Sequence, residues 1–117
     1  MHVELRQAGD VVVVDLKGRL TAGLGDQLLR DTLGQLLADR HRKILLNLSE
    51  VSFIDSAGVG ELVAGLRASQ RSGAALKVLN HSERVHSTLF LARLLPIFEV
   101  YQDEKDALQH FGGAQPS

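Results

Sequence analysis

No cysteine occurs among the 117 residues, which excludes disulfides, thiolate metal sites and thiol catalysis and leaves the redox character of the compartment unmarked. A surplus of one charge is also missing. Thirteen Lys and Arg stand against fourteen Asp and Glu, a net charge of −1, and the densest basic stretch is the short Arg40-His41-Arg42-Lys43. The footprint of a direct nucleic-acid binder is therefore absent. No apolar run is long enough for a bilayer, since Leu89 to Phe98 is interrupted by Arg93 and Pro96. The opening Met1-His2-Val3-Glu4-Leu5-Arg6 puts charges where a signal peptide or anchor needs an apolar core, so a cytoplasmic protein without membrane insertion is expected. The histidines are scattered, and His81 and His86 are off the i,i+4 spacing that sets two ligands on one helix face. Neither a metal nor a cofactor is expected. Internal repeats and low-complexity tracts are lacking too.

What is present fits one compact domain. We place it at residues 1–111, with 112–117 as a flexible tail. Residues 2–7 alternate weakly, Ala8-Gly9-Asp10 is a turn signal, and Val11-Val12-Val13-Val14-Asp15-Leu16 is β-branched, which reads as a hairpin. Leucines at 24, 28, 29, 33, 36 and 37 follow helical spacing and predict a helix over about 23–39 with an apolar core face. Ile44 to Leu48 suits a short strand buried on both faces, followed by a loop up to Ser56. Val59, Leu62, Val63 and Leu66 mark an amphipathic helix over 57–71 that ends at Ser72-Gly73. Ala75 to Asn80 reads as a strand, and Ser82 with Glu83 opens a third helix that Pro96 ends. Phe98 to Tyr101 is a last strand, and a closing helix from Asp103 reaches about Phe111. Phe90, Phe98 and Phe111 are read as packing residues, and Arg67, Arg71, Glu61 and Glu83 as charges on solvated faces.

The order β-β-α-β-α-β-α-β-α predicts an α/β fold: a mixed, mostly parallel β-sheet with an antiparallel N-terminal strand and about four α-helices. In such sheets, function gathers where strand carboxyl ends meet helix N-termini. Ser56, in Asp55-Ser56-Ala57-Gly58-Val59-Gly60, lies there. Serine is a preferred N-cap, and capping alone is one reading of it, although Glu61 is too late in the chain to complete a capping box. A hydrolase nucleophile fits poorly, because Ile54 stands where G-x-S-x-G needs its first glycine. Val63 replaces the third glycine of a dinucleotide fingerprint, and no Gly-Lys-Ser/Thr follows. Asp15 and Asp55 alone do not make the acidic cluster of a Mg²⁺-dependent aspartyl phosphoacceptor. The remaining reading is a passive hydroxyl displayed to a partner that brings ATP, Mg²⁺ and a base, with small neighbours allowing close approach. A phosphate there would add roughly −1.5 to −2 charge beside Asp55. The chain is therefore not expected to be an enzyme.

The segment from Asn47 to Leu62, NLSEVSFIDSAGVGEL, resembles the signature of STAS domains of the bacterial anti-sigma-factor antagonist type. The likeness extends to Gly18-Arg19-Leu20, Leu76-Lys77-Val78-Leu79 and the stretch from Leu94 to Ala107. It implies a non-enzymatic partner switch, in which the serine matching Ser56 is phosphorylated by an anti-sigma factor with serine kinase activity. The unmodified antagonist binds that kinase and releases the sigma factor, and a PP2C-type phosphatase restores the unmodified state. Thr21, Asp55, Ser56, Ala57, Gly58, Val59, Gly60 and Glu61 would form the partner surface. Three positions depart from the common pattern: Thr21 where many members carry an acid, Asn47 where many carry Asp, and Ala57 where a second hydroxyl is frequent. STAS folds also serve as scaffolds or accessory subunits of transport or signalling assemblies, and that alternative needs no phosphorylation.

Overall fold

The computed structural model describes residues 1–95 and 97–113. Its elements are β1 (His2–Ala8), β2 (Val11–Leu20), α1 (Gly25–Ala38), β3 (Lys43–Ile54), α2 (Ser56–Arg71), β4 (Ala75–Leu79), α3 (Glu83–Leu91), β5 (Val100–Tyr101) and α4 (Glu104–Gly113). The five strands lie side by side in the order β1-β2-β3-β4-β5. The β1 and β2 strands are antiparallel, whereas β2 to β5 are mutually parallel. Class, order and sheet pattern match the sequence reading.

The side on which each helix sits follows from this monotonic order. Right-handed crossovers that always step in one direction put every crossover helix on the same face. That face carries Val12, Val14, Leu16 and Leu20 of β2 and Ile44, Leu46 and Leu48 of β3. They pack with Leu29, Leu33 and Leu36 of α1, Leu62 and Leu66 of α2, and Val85 and Leu89 of α3. The α4 helix, which crosses to no further strand, covers the opposite face and seals Val11, Val13, Leu45 and Leu79 with Ala107 and Phe111.

Several boundaries differ from the sequence reading. The β3 strand does not stop at Leu48 but runs to Ile54, so the expected loop before Ser56 shrinks to Asp55 alone. Two irregularities explain this. Between Asn47 and Ile54, β3 takes two more residues than the β2 segment it pairs with, Asp15 to Leu20. Each extra residue resets the two-residue alternation, so that Leu48, Val51 and Ile54 all point into the core. The β2 strand likewise continues past Leu16 to Leu20, with Gly18 at φ +103° in a region that favours glycine.

The third helix ends at Leu91, where the chain turns through Ala92 and then Arg93 at φ +60°. That exit precedes Pro96, which lies outside the described residues. The last strand is shortened to Val100–Tyr101, and Phe98 is instead buried in the helix-covered core. The first helix starts at Gly25, and Leu24 and Leu28 stand outside the core, as does Phe90. The closing helix continues to Gly113. Of the segment read as a tail, 114–117 lie outside the described residues.

Close packing of helix starts onto β2 depends on two glycines. A Cβ on Gly25 would lie 2.7 Å from the Arg19 carbonyl oxygen, and one on Gly58 would lie 2.2 Å from that of Leu20. Neither distance is sterically possible, and backbone is the obstacle, so no rotamer change relieves it. By contrast, a Cβ on Gly34 in α1 meets nothing within 4 Å. We expect Gly58→Ala to lower unfolding stability by about 2 kcal/mol or more and Gly34→Ala to raise it by about 0.5–1 kcal/mol. Urea titration followed by circular dichroism measures both.

Candidate functional site

The Ser56 site grows out of the carboxyl ends of β2 and β3. Asp55 is the hinge between β3 and α2, and its extended backbone (φ −94°, ψ −175°) ends the strand and starts the helix. Its amide donates to the Leu20 carbonyl at 3.2 Å, and its carbonyl accepts from the Val59 amide at 2.9 Å. The carboxylate bridges two segments: Oδ1 accepts from the Gly58 amide at 2.9 Å and Oδ2 from the Ala22 amide at 3.0 Å. Asp55, not Ser56, is therefore the N-cap of α2. The capping-only reading of Ser56 is thereby overturned.

Ser56 occupies the first position of α2 and is exposed. A phosphate on a first-turn serine would ordinarily claim the free amides of the helix end. Here the Asp55 carboxylate holds them. The Ala22 amide first, then those of Gly58 and Ala57, keep the Asp55 carboxyl below the usual carboxylate range. Charge added at Ser56 would thus project outward without needing the fold to rearrange.

The other residues assigned to a partner surface divide into outward and inward sets. Gly60 is exposed, Ala57, Val59 and Thr21 are half-buried, and Gly58 is buried against Leu20. Glu61 departs most from a solvated charge, being 9% exposed. It accepts from Arg30 Nε at 3.1 Å, with Arg30 Nη2 at 3.0 Å, and so ties α2 to α1. Arg30 and Asp26, which lies 3.9 Å from Arg30, were not legible as part of this network. The i,i+4 spacing of Asp26 and Arg30 was the one available signal. Thr21 caps nothing through its side chain, but its carbonyl accepts from the Asp26 amide at 3.0 Å and shapes the entry to α1.

Asn47 lies on the α4-covered face, away from Ser56. Its Nδ2 donates to Asp15 Oδ1 at 2.8 Å and its Oδ1 accepts from the Ser49 amide at 3.1 Å. Asp15 is also held by Arg6, which in turn pairs with Glu104 of α4. The amide suits this setting, because an aspartate at 47 would face the Asp15 carboxylate without a proton to share.

The order of the described strands never reverses, so they form no topological switch point. The carboxyl ends of β2 and β3 carry the exposed Ser56 and Gly60. Further along the same edge, a cleft of about 450 Å³ opens between β4, β5 and the start of α3, lined by Asn80, His81, Ser82, His86, Phe98 and Gln102 among others. No described helix is long and apolar enough to cross a membrane.

The fold and this motif define a STAS domain, and the STAS domain family model matches residues 2–107. The chain belongs to that family. Among curated relatives it is 26% identical over 109 residues to the anti-sigma F factor antagonist of Paenibacillus polymyxa, with 92% of each chain covered. It is 25% identical to the anti-sigma-B factor antagonist of Bacillus subtilis, covering 93% of this chain and 98% of that one. A crystal structure of a candidate anti-sigma factor antagonist from Thermotoga maritima superposes with a TM-score of 0.84 at 26% identity, covering 92% of both chains.

Replacing Asp55 should test the clamp. An aspartate with a depressed pKa stabilises the fold above its unfolded value, near 3.8, and loses that contribution as pH falls through the folded value. Asp55→Ala should therefore lower the thermal midpoint at pH 7, and the gap to wild type should narrow as pH is taken towards 2. Calorimetric melting across that range checks it.

Proposed function

We propose that this STAS domain is an anti-sigma-factor antagonist: unmodified, it binds an anti-sigma factor and thereby frees a sigma factor, and phosphorylation of Ser56 turns the binding off. The observation that carries the reading is an exposed Ser56 hydroxyl beside a carboxylate that already occupies the helix-end amides. The named functions of the Paenibacillus and Bacillus relatives support it.

The charge distribution gives the mechanism. Neither 20–29 nor 50–62 contains a lysine or arginine, while Asp26, Glu50, Asp55 and Glu61 all fall within them. Arg19, at the margin, lies over the Phe53 ring at 4.9 Å. A phosphate buried against a partner at this face would sit beside the Asp55 carboxylate, while Arg19 is stacked on Phe53 and Arg30 is already paired with Glu61 and Asp26. An uncompensated buried charge strongly opposes binding. In the modification itself, the γ-phosphoryl group of ATP passes to Ser56 Oγ. The bond to ADP breaks, and the hydroxyl proton goes to a base on the kinase. Such a kinase is the anti-sigma factor itself, and a PP2C-type phosphatase reverses the step by hydrolysis. The acceptor contributes position and exposure, because both Asp55 carboxylate oxygens are engaged by the Gly58 and Ala22 amides.

Affinity capture from host lysate with wild-type, Ser56→Ala and Ser56→Asp baits tests the switch. An anti-sigma factor of the ATPase kinase type should be recovered with wild type and Ser56→Ala and lost by about a hundredfold with Ser56→Asp. Equal recovery of a single partner by all three would instead mark a constitutive scaffold or accessory subunit and overturn the switch.

A further inference from the structure

The α3 helix carries apolar side chains on two opposite sides. Val85 and Leu89 are buried in the core, yet Phe90 is 63% exposed and Leu91 78%. At 3.6 residues per turn, Glu83, Ser87, Phe90 and Leu91 follow i, i+4, i+7 and i+8 and share one stripe, turned away from Val85 and Leu89, with Arg84 at its border. Beyond the helix end, Phe90, Leu91, Arg93 and Leu95 line a single concavity of about 580 Å³. Arg93, at φ +60°, therefore borders the same hollow as the two exposed apolar side chains. None of Glu83, Arg84 and Arg93 belongs to an ion pair among the described residues. An apolar patch rimmed by uncommitted charges is the make-up of an interaction surface.

The pattern of charge along this stripe is complementary to itself. Two copies of α3 laid antiparallel about a two-fold axis at Ser87 set Phe90 of one copy opposite Arg84 of the other, and Leu91 opposite Glu83. The hollow beside Arg93 then receives the first turn of the second copy, which brings a glutamate to the arginine and a guanidinium to the face of the phenylalanine. The small Ser87 at the axis lets the two helices approach closely. A parallel arrangement would instead place Glu83 against Glu83 and Arg93 against Arg93, so charge selects the antiparallel one.

We propose that the outer face of α3 is a self-association surface, through which two copies of this chain form a symmetric dimer with Phe90 and Leu91 as its apolar centre and a Glu83–Arg93 pair at each end. A crossover helix runs antiparallel to the strands it connects. Antiparallel packing of α3 on α3 therefore sets the carboxyl edges of the two sheets, each with its Ser56, at opposite ends of the dimer, where neither copy covers the other's serine. One nine-residue helix makes a small interface, and a dissociation constant on the order of 10–100 μM is expected.

Analytical ultracentrifugation of the full chain, from about tenfold below to about tenfold above that range, tests the proposal. Wild type should pass from monomer to dimer. Phe90→Ser should weaken dimerisation about tenfold or more, with a thermal midpoint within error of wild type. Glu83→Lys and Arg93→Glu should each weaken it several-fold, because symmetry counts each change twice and sets like charges together. The double variant Glu83→Lys/Arg93→Glu should return to within about twofold of wild type, since it only exchanges the signs. Leu24→Ser, which removes an 82% exposed leucine at the entry to α1, should dimerise as wild type does. A wild type that stays monomeric throughout would overturn the dimer and leave the face to a different protein. Dimerisation of Phe90→Ser within twofold of wild type, or an equal loss in Leu24→Ser, would overturn the α3 interface. A double charge variant no tighter than its two parents would overturn the antiparallel pairing.

Discussion

Two carboxylate oxygens on Asp55 hold the functional end of this molecule together. One caps α2 through the Gly58 amide, the other reaches the Ala22 amide in the turn before α1, and the backbone of the same residue is bonded to Leu20. Without that bridge, the β2–α1 turn would lose its direct side-chain tie to the α2 N-terminus and gain conformational freedom. With it, they form one rigid surface. Gly58 is the steric condition for the bridge, because any side chain there would push α2 off Leu20.

The same carboxylate decides how Ser56 can act. A helix N-terminus is the natural seat of an anion, and in this fold the seat is taken by an anion that belongs to the chain. On the proposed function, modification of Ser56 would therefore add charge to the outside rather than reorganise the inside. A switch of this kind works on a partner's affinity and needs no second conformation of the domain. The Glu61 and Arg30 pair serves the same rigidity from behind, locking α1 to α2 where the sequence pattern suggested a solvated glutamate.

The sheet makes the surface possible. A monotonic strand order places three helices on one face and leaves the carboxyl edge without a strand-order reversal among the described strands. That edge offers the exposed Ser56 at the end of β3 and, further along, the cleft beside β4 and β5. Two bulges in β3 carry the strand on to Ile54, so Asp55 and Ser56 follow from a fixed ladder rather than from a mobile loop. The aspartate and serine owe their position to an irregularity in the strand, not to the regular pattern around it.

Much of this was legible in the residues alone. The alternation of strands with amphipathic helices determined the α/β class, the antiparallel first strand and the sheet of parallel strands, because period and turn signals are local properties. The Asp-Ser-Ala-Gly-Val-Gly motif, and its likeness to STAS domains, determined where to look for function. Tertiary structure alone decided the rest. Core residues spaced three apart at Leu48, Val51 and Ile54 match no strand period until β2 lies alongside and forces the bulges. Leu28 and Leu29 carry the same side chain in the same helix, and only packing against the sheet leaves one partly exposed and buries the other. Whether Ser56 or Asp55 caps α2 turns on a carboxylate reaching across 33 residues to Ala22. Local sequence sets propensity, but contacts between distant segments choose among the arrangements it allows.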